Sequence, residues 1–372
     1  MKIAFFLPNA TFDRPGSPEV GGIETFAFAV GEALQQLGHK VSLYGGRPKE
    51  GRTHRPTTLD LRLFDYIETR NIPDLGTRFQ RLVQRLHFGM KCRKDFLAGQ
   101  FDVVMVAKPF DWPVIAGWKR RQPRLKAVMS FQGTDFFWGD KFFYKAVDGA
   151  FAVSRTVADL AFQRVGRRPE VIPNPVDTSF FTPIPKELEK GSDHPFHVVS
   201  CGRLVGWKGF EVLVGALLRL KKEGIAIRCT IAGDGPEKAR LAAMISEQGA
   251  GDAVCLAGVM DREQLRALYA GADVFVAPSV GLEAFSIAAL EGASCGLPLI
   301  LSDQVGLGEF LGESDCVTYP CRDEGALADK IRQRMKFPRP TPEDRRARHA
   351  QIEAGFSATA SARKILELIG KL

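Results

Sequence analysis

The chain has 372 residues, 45% hydrophobic and 25% charged, with a formal net charge of +8; that length exceeds one ordinary core and predicts two domains. No run of eighteen apolar residues occurs, which excludes a membrane-spanning helix, and residues 1–8 open directly as a strand, which predicts a cytoplasmic protein. Seven cysteines without CxxC spacing point to free thiols rather than disulfides or a zinc site, and no Asp-x-Asp pair or histidine cluster supports a divalent-metal site.

The first half alternates apolar runs suited to buried parallel strands with helical stretches. The runs are KIAFFLPN (2–9), KVSLYGG (40–46), FDVVMVA (101–107), KAVMSFQG (126–133), GAFAVS (149–154) and EVIPN (170–174). After the first run, Gly21 and Gly22 open a long helix ended by Gly38. A glycine pair there lets backbone N–H groups approach an anion, although such glycines also serve simply to make a turn.

Between Arg47 and Lys126 there are 18 Lys and Arg against 8 Asp and Glu, so this region carries the positive charge. Within it, residues 78–94 place Phe79, Leu82, Val83, Leu86 and Met90 at helical spacing among Arg78, Arg81, Arg85, Lys91, Arg93 and Lys94. Such a helix suits an anionic membrane surface, or else packs its apolar stripe on its own domain. No nucleic-acid-binding motif accompanies the charge.

PIPKELEKGSDHP (183–195) is the predicted linker, with three prolines and no apolar period. The strand–helix alternation then restarts with strands at 196–202, 226–235, 253–259, 273–279, 297–303 and 316–320. The predicted organisation is an N-terminal domain over 1–182, completed by a terminal amphipathic helix (357–372), and a C-terminal domain over 196–356. The fold class is α/β: two doubly wound, Rossmann-like parallel-sheet domains facing a cleft. Ligands in such sheets gather at the carboxyl ends of the strands.

Two stretches of the second half fall at such strand ends. GRLVGWKGF follows the strand at 196–202 and sets Gly202, Arg203, Gly206, Lys208 and Gly209 in one loop. Glycines that admit close backbone approach, a forked guanidinium and an ammonium suit a diphosphate, though a solvated basic turn has the same composition. EAFSIAALEGASCGLP (283–298) follows the strand at 273–279 and reads as a loop and then a helix closed by Gly296 and Pro298. Glu283 lies in that loop and Glu291 in the helix, roughly 80° beyond two full turns, so the two carboxylates do not stack on one face, yet one ligand can meet both, one from the loop and one from the helix. Glu291 sits among Ala288, Ala289, Leu290, Ala293 and Cys295, where a carboxylate needs a donor from a salt bridge, from solvent or from a ligand.

Taken in order, GGIE around residue 22, IPNPVD (172–177), GRLVGWKG (202–209), AGDGP (232–236) and the 279–298 stretch resemble the family 4 glycosyltransferases, retaining enzymes of the GT-B fold, over nearly the whole chain. The resemblance implies transfer of a sugar from a UDP-sugar or GDP-sugar to a saccharide or lipid-linked acceptor in cell-envelope glycan or glycolipid biosynthesis. It implies no metal and no cofactor, the nucleotide sugar being a substrate. Arg203 and Lys208 would hold the donor diphosphate, Glu291 the ribose hydroxyls, and Glu283 the transferred sugar. The N–H groups around Phe285, Ser286 and Ile287, the Gly202 loop, and Gly21 and Gly22 would also meet the donor.

Departures from the family pattern bear on this reading. Many relatives carry His where this chain has Gln132, a side chain that donates a hydrogen bond but takes up no proton at neutral pH. Asp135 nearby binds sugar or acceptor, or caps the next helix. Asn174-Pro175, Ala284 and Ser286, which replace residues common in relatives, are expected to be tolerated. The other classes kept open are a nucleotide-sugar epimerase of the same shape and a catalytically decayed donor-binding protein.

Overall fold

The computed structural model describes residues 1–8, 10–11, 22–47, 57–133, 135–184 and 195–372. Gly21, a stretch of the basic region and all but the ends of the expected linker lie outside the described residues. The chain divides into two compact units, Met1–Pro175 with Ala358–Leu372, and Val176–Ser357.

The first unit runs β1 (Lys2–Leu7), α1 (Gly22–Gln36), β2 (Lys40–Gly46), β3 (Asp60–Phe64), α2 (Thr77–Gly99), β4 (Val103–Val106), α3 (Trp112–Lys119), β5 (Lys126–Phe131), α4 (Asp140–Phe143), β6 (Gly149–Ala152), α5 (Arg155–Val165) and β7 (Glu170–Val171). Its strands form one sheet, ordered β3-β2-β1-β4-β5-β6-β7, with every pairing parallel. Parallel strands buried on both faces read as unbroken apolar runs, which is why β1, β2, β4, β5 and β6 stand out in the sequence; the edge strand β7 lies within the sixth run, 170–174. β3 does not stand out: DLRLF is a half-buried edge strand with alternating charges.

The second unit runs β8 (Phe196–Cys201), α6 (Phe210–Lys222), β9 (Ile227–Ala232), α7 (Lys238–Glu247), β10 (Val254–Gly258), α8 (Arg262–Ala270), β11 (Val274–Ala277), α9 (Ile287–Ser294), β12 (Leu299–Ser302), β13 (Cys316–Tyr319), α10 (Glu324–Met335) and α11 (Pro342–Phe356). Its parallel sheet is ordered β10-β9-β8-β11-β12-β13. Val198, Val274, Val276 and Ile300 pack against Leu213, Leu217 and Leu220 of α6 and Leu327 and Ile331 of α10. Each fully buried side chain of this kind contributes about 1.5–3 kcal/mol.

Two boundaries differ from the sequence expectation. Residues 176–182 belong to the second unit, because Asp177 pairs with Arg262 of α8 at 2.6 Å and the Phe181 carbonyl accepts the Ser294 hydroxyl of α9 at 2.5 Å. The terminal helix does not begin at 357: Phe356 ends α11, Ser357 is extended, and α12 (Ala358–Gly370) follows. Its Ala362, Ile365 and Leu368 join Phe26, Val30 and Leu34 of α1 in the first unit's core.

Helix α2 turns its faces opposite to one of the two expectations. Phe88, Cys92 and Phe96 are fully buried, whereas Phe79, Leu86 and Met90 face outward, Met90 being 68% exposed. Leu82 and Val83 are half-buried, so the apolar stripe read from the sequence packs only in part and Phe79, Leu86 and Met90 of it do not face the core. Arg78, Arg81, Lys91, Arg93 and Lys94 are exposed around it. Arg85 is the exception, buried and paired with the fully buried Asp111, whose carboxyl burial pushes up against the opposing pull of that guanidinium.

All seven cysteines are free; Cys92, Cys229, Cys295 and Cys316 are buried and Cys255 is exposed. No described helix is long and apolar enough to cross a membrane.

Candidate active site

In the second sheet the strand order reverses between β8 and β11, and crevices at such switch points, beyond the carboxyl ends of the strands, are where doubly wound sheets bind ligands. The two loops singled out in the sequence, 202–209 and 278–286, leave those two strands. They are held together by glycines. Gly209 has φ +67°, and a Cβ there would lie 2.2 Å from the Pro278 carbonyl oxygen, so only glycine permits the approach. The Trp207 carbonyl accepts from Val280 N at 2.9 Å and Gly281 N at 3.0 Å, stitching one loop to the other. AGDGP supports the first loop from behind: Leu204 N donates to the Asp234 carbonyl at 2.9 Å and Glu237 N to the Leu204 carbonyl at 3.0 Å.

This stitching carries Lys208 onto Glu283. Its ammonium donates to Glu283 Oε1 while the Ser279 hydroxyl donates to Oε2 at 2.5 Å. The lysine and glutamate side chains are only 16% and 7% exposed. Glu283 is fixed through its backbone too, bridging to Val305 with its N–H on the Gln304 carbonyl at 2.9 Å. Ser302 in turn donates to the Ser279 carbonyl at 2.5 Å. A carboxylate gripped on both oxygens within a strand-like turn has one orientation. Ser279 was not among the sequence candidates, because a lone serine after a strand carries no signal of its own.

Three residues on, Ser286 precedes α9 with φ +82°, a region that costs a non-glycine residue about 1–2 kcal/mol. The replacement of glycine expected to be harmless here is strained. Phe285 is buried against Phe310 and Phe356, and its carbonyl accepts from Leu307 N at 3.1 Å. Ile287 then opens α9, whose first-turn N–H groups have no intrahelical acceptor and carry the positive end of the helix dipole.

Glu291 lies in the middle of α9, partly accessible, and among the described residues no hydrogen bond or ion pair reaches its carboxylate. Burial raises its pKa to about 7; Arg262 pulls it down and Asp177 pushes it further up. Tyr269 lies fully buried beside it. Arg262 was also missed from sequence: it occupies the first turn of α8, capped by the reciprocal Asp261–Gln264 pair, and looks there like a solvent-facing charge. Arg203 differs from Lys208. It is exposed, and among the described residues its guanidinium has no partner, so the structure does not gather the two cations onto one protein group. Gly202 lies beside Lys208 in the same loop, with φ +156°.

The remaining candidates belong to the first unit. Gly22 opens α1 and is exposed, while Gly21 lies outside the described residues. Gln132, after β5, donates its amide to the Ser130 hydroxyl at 2.8 Å. Asp135 does not cap a helix: Gly139 occupies that position for α4, and Asp135 pairs with Lys108 at 2.5 Å and stands 3.9 Å from Arg81. Burial pushes its carboxyl up, but the Lys108 hydrogen bond and charge, with Arg81 and Arg85, outweigh it and hold the pKa below the ordinary value.

Residues 20–180 match the family described as Glycosyltransferase Family 4 and residues 183–355 the family described as Glycosyl transferases group 1. A phosphatidyl-myo-inositol mannosyltransferase from Propionibacterium freudenreichii is 26% identical, over 82% of this chain and 77% of its own length. One from Mycolicibacterium smegmatis is 26% identical over 98% and 89%. Among solved structures, Anabaena Alr3699/HepE in complex with UDP superposes with a TM-score of 0.76 at 18% identity, covering 100% of both chains. Two all-parallel α/β units, a loop pair built at the switch point of the second sheet, and family matches that together span residues 20–180 and 183–355 identify the chain as a family 4 glycosyltransferase of the GT-B fold.

Proposed function

We propose that the chain moves a sugar from a UDP-sugar or GDP-sugar to a saccharide or lipid-linked acceptor, with retention at the transferred carbon and without a metal. The observation that carries this reading is the Lys208–Glu283–Ser279 set at the switch point, followed in α9 by the Glu291 carboxylate, which has no donor among the described residues. A ribose diol offers Glu291 two hydroxyl donors. Departure of the nucleoside diphosphate builds negative charge on its terminal phosphate. Lys208, Arg203 and the N–H groups from Phe285 to Ile287 supply fixed positive charge for it, with Gly202 admitting close approach. Glu283, gripped by Lys208 and Ser279, faces the transferred sugar and accepts from its hydroxyls. No protein nucleophile is required in such a front-face reaction. The family resemblance further assigns Gly21, Gly22 and Gln132 to donor binding and Asp135 to sugar or acceptor.

Relatives named for mannosyl transfer to phosphatidyl-myo-inositol, and a structural neighbour solved with UDP, support an acceptor in glycolipid biosynthesis and a nucleotide-linked donor. Attachment to the cytoplasmic membrane face is supported by the outward side of α2, where Phe79, Leu86 and Met90 sit among five exposed cations, Arg78, Arg81, Lys91, Arg93 and Lys94. Liposomes with anionic lipid should retain the protein at low salt and release it at high salt; equal retention by neutral liposomes contradicts the attachment.

The test of the transfer itself is a thermal-shift screen with UDP, GDP and their sugars, followed by nucleoside diphosphate release with and without candidate acceptors. Release should depend on acceptor, and Arg203→Ala, Lys208→Ala and Glu291→Ala should each lose nucleotide affinity and turnover. Unchanged affinity in all three variants refutes the assignment. Appearance of free epimerised sugar without acceptor would make the protein an epimerase, and binding without turnover a decayed transferase.

A further inference from the structure

Trp138 and Phe142 are 83% and 67% exposed, more than any other described tryptophan or phenylalanine, although the segment that carries them is firmly anchored. The anchor is Arg164 of α5. Its Nε donates to Asp140 Oδ2 at 2.6 Å and its Nη2 to the Phe137 carbonyl at 3.0 Å, so one guanidinium ties down the chain on both sides of the turn at Trp138 and Gly139. Asp140 is fully buried and accepts on Oδ1 from Lys141 N at 2.7 Å. Phe137 is buried too, its ring stacked on Phe110 with centres 5.1 Å apart.

The two exposed rings grow from one aromatic base. Trp138 stands edge-on to Phe137 at 6.3 Å and Phe142 edge-on to Phe143 at 5.1 Å, while Phe137 and Phe143 are themselves 6.3 Å apart. Large apolar side chains that are fixed outward as neighbours, instead of scattered singly, mark an interaction surface. The charge beside them is positive. Asp135 is paired with Lys108 and Asp140 with Arg164. Asp148 is paired with Lys119 and Asp159 with Arg168. With those acids neutralised, Lys141 and Lys145 remain, both exposed and without an ion-pair partner among the described residues. Asp135 also stands 3.9 Å from Arg81, which joins this segment to α2.

We propose that Trp138 and Phe142, presented on a loop locked by Arg164, form an aromatic wedge that enters the interfacial layer of an anionic membrane while Lys141 and Lys145 meet its headgroups. Tryptophan rings settle at headgroup level in a bilayer, and each nearby cation adds attraction to anionic lipid. Rings that stand clear of the surface suit a bilayer better than a saccharide, which binds in a concave site among converging polar groups. The inference rests on the membrane attachment drawn from α2 and deepens it with a separate contact. It is independent of the donor site.

The test uses the full-length protein and vesicles of equal parts phosphatidylcholine and phosphatidylglycerol. The Trp138 signal is the tryptophan emission lost in Trp138→Phe; it should move to shorter wavelength on vesicle addition and be quenched by brominated acyl chains. The double variant Trp138→Ser with Phe142→Ser should lower vesicle partitioning at least tenfold, and Lys141→Glu with Lys145→Glu at least threefold. Trp138→Phe, which keeps an apolar ring, should lower it less than threefold. Because all four side chains are exposed, melting temperatures should stay within about 2 °C of the parent. Unchanged partitioning of the double serine variant, with the parent retained, overturns the inference and leaves attachment through α2 standing. A Trp138 signal that answers to glucose or mannose and not to vesicles also overturns it, making the rings a sugar platform. A parent that anionic vesicles do not retain ends the attachment reading and the wedge with it.

Discussion

Replacing Glu291 by Gln should make the protein more stable and less useful. The carboxyl takes up a proton more readily in the folded chain, at about 7 against an ordinary 4.5. The sign follows: the folded state meets no penalty from this group below its unfolded pKa, the penalty grows as pH rises between the two values, and it is complete above the folded one. A difference of that size corresponds to about 3 kcal/mol, discounted to about 2 kcal/mol because part of the residue stays accessible to water. Glutamine keeps the shape without the charge, so at pH 8 the variant should melt about 4–8 °C higher, and at pH 5 most of that gain should vanish. Calorimetric melting at the two pH values measures it, with UDP and GDP affinity at pH 8 falling about tenfold or more in the same samples. A variant no more stable than its parent at pH 8, or a gain independent of pH, refutes the reasoning that this site holds a destabilising carboxylate for the sake of a ligand.

Other consequences follow from the same loops. Lys208→Met strands Glu283 without its cation and should cost about 3 kcal/mol in thermal unfolding; adding Glu283→Gln should recover at least half, and simple additivity would show that the pair is not coupled. Ser279→Ala leaves one Glu283 oxygen without its donor and should cost about 1–2 kcal/mol while slowing transfer at least tenfold; unchanged turnover removes Ser279 from the site. Ser286→Gly should stabilise by about 1 kcal/mol by relieving the positive φ, and Ser286→Ala, which keeps a Cβ, should not; equal melting of the two variants argues against strain.

Most of the sheet strands were legible because parallel, doubly covered strands are written as unbroken apolar runs. Where a strand sits at a sheet edge, as β3 does, its Asp60 and Arg62 break the run and the signal fades. Asp177 and Phe181 carry contacts to Arg262 and Ser294 that spacing cannot reveal, so the 176–182 segment was placed with the wrong unit. Helix α2 shows the limit of periodicity: Phe79, Leu86 and Met90 mark one face and Phe88, Cys92 and Phe96 the other, and only packing shows which one the core takes. At the site, Lys208, Glu283 and Glu291 were legible because charges beside glycines and among alanines are chemically conspicuous. Ser279 and Arg262 were not, since their meaning is entirely in what they touch. Ser286 was misjudged because a residue type does not disclose its φ.

The central claim is that the diphosphate of a nucleotide lies at the switch point of the second sheet, with its nucleoside on α9. A crystal structure of the full chain with UDP or GDP tests it most directly. The account predicts terminal-phosphate oxygens within hydrogen-bond distance of Lys208 Nζ and the Arg203 guanidinium, and both ribose hydroxyls on the Glu291 carboxylate. A nucleotide bound elsewhere, or one whose phosphates leave Lys208 and Arg203 untouched, contradicts it.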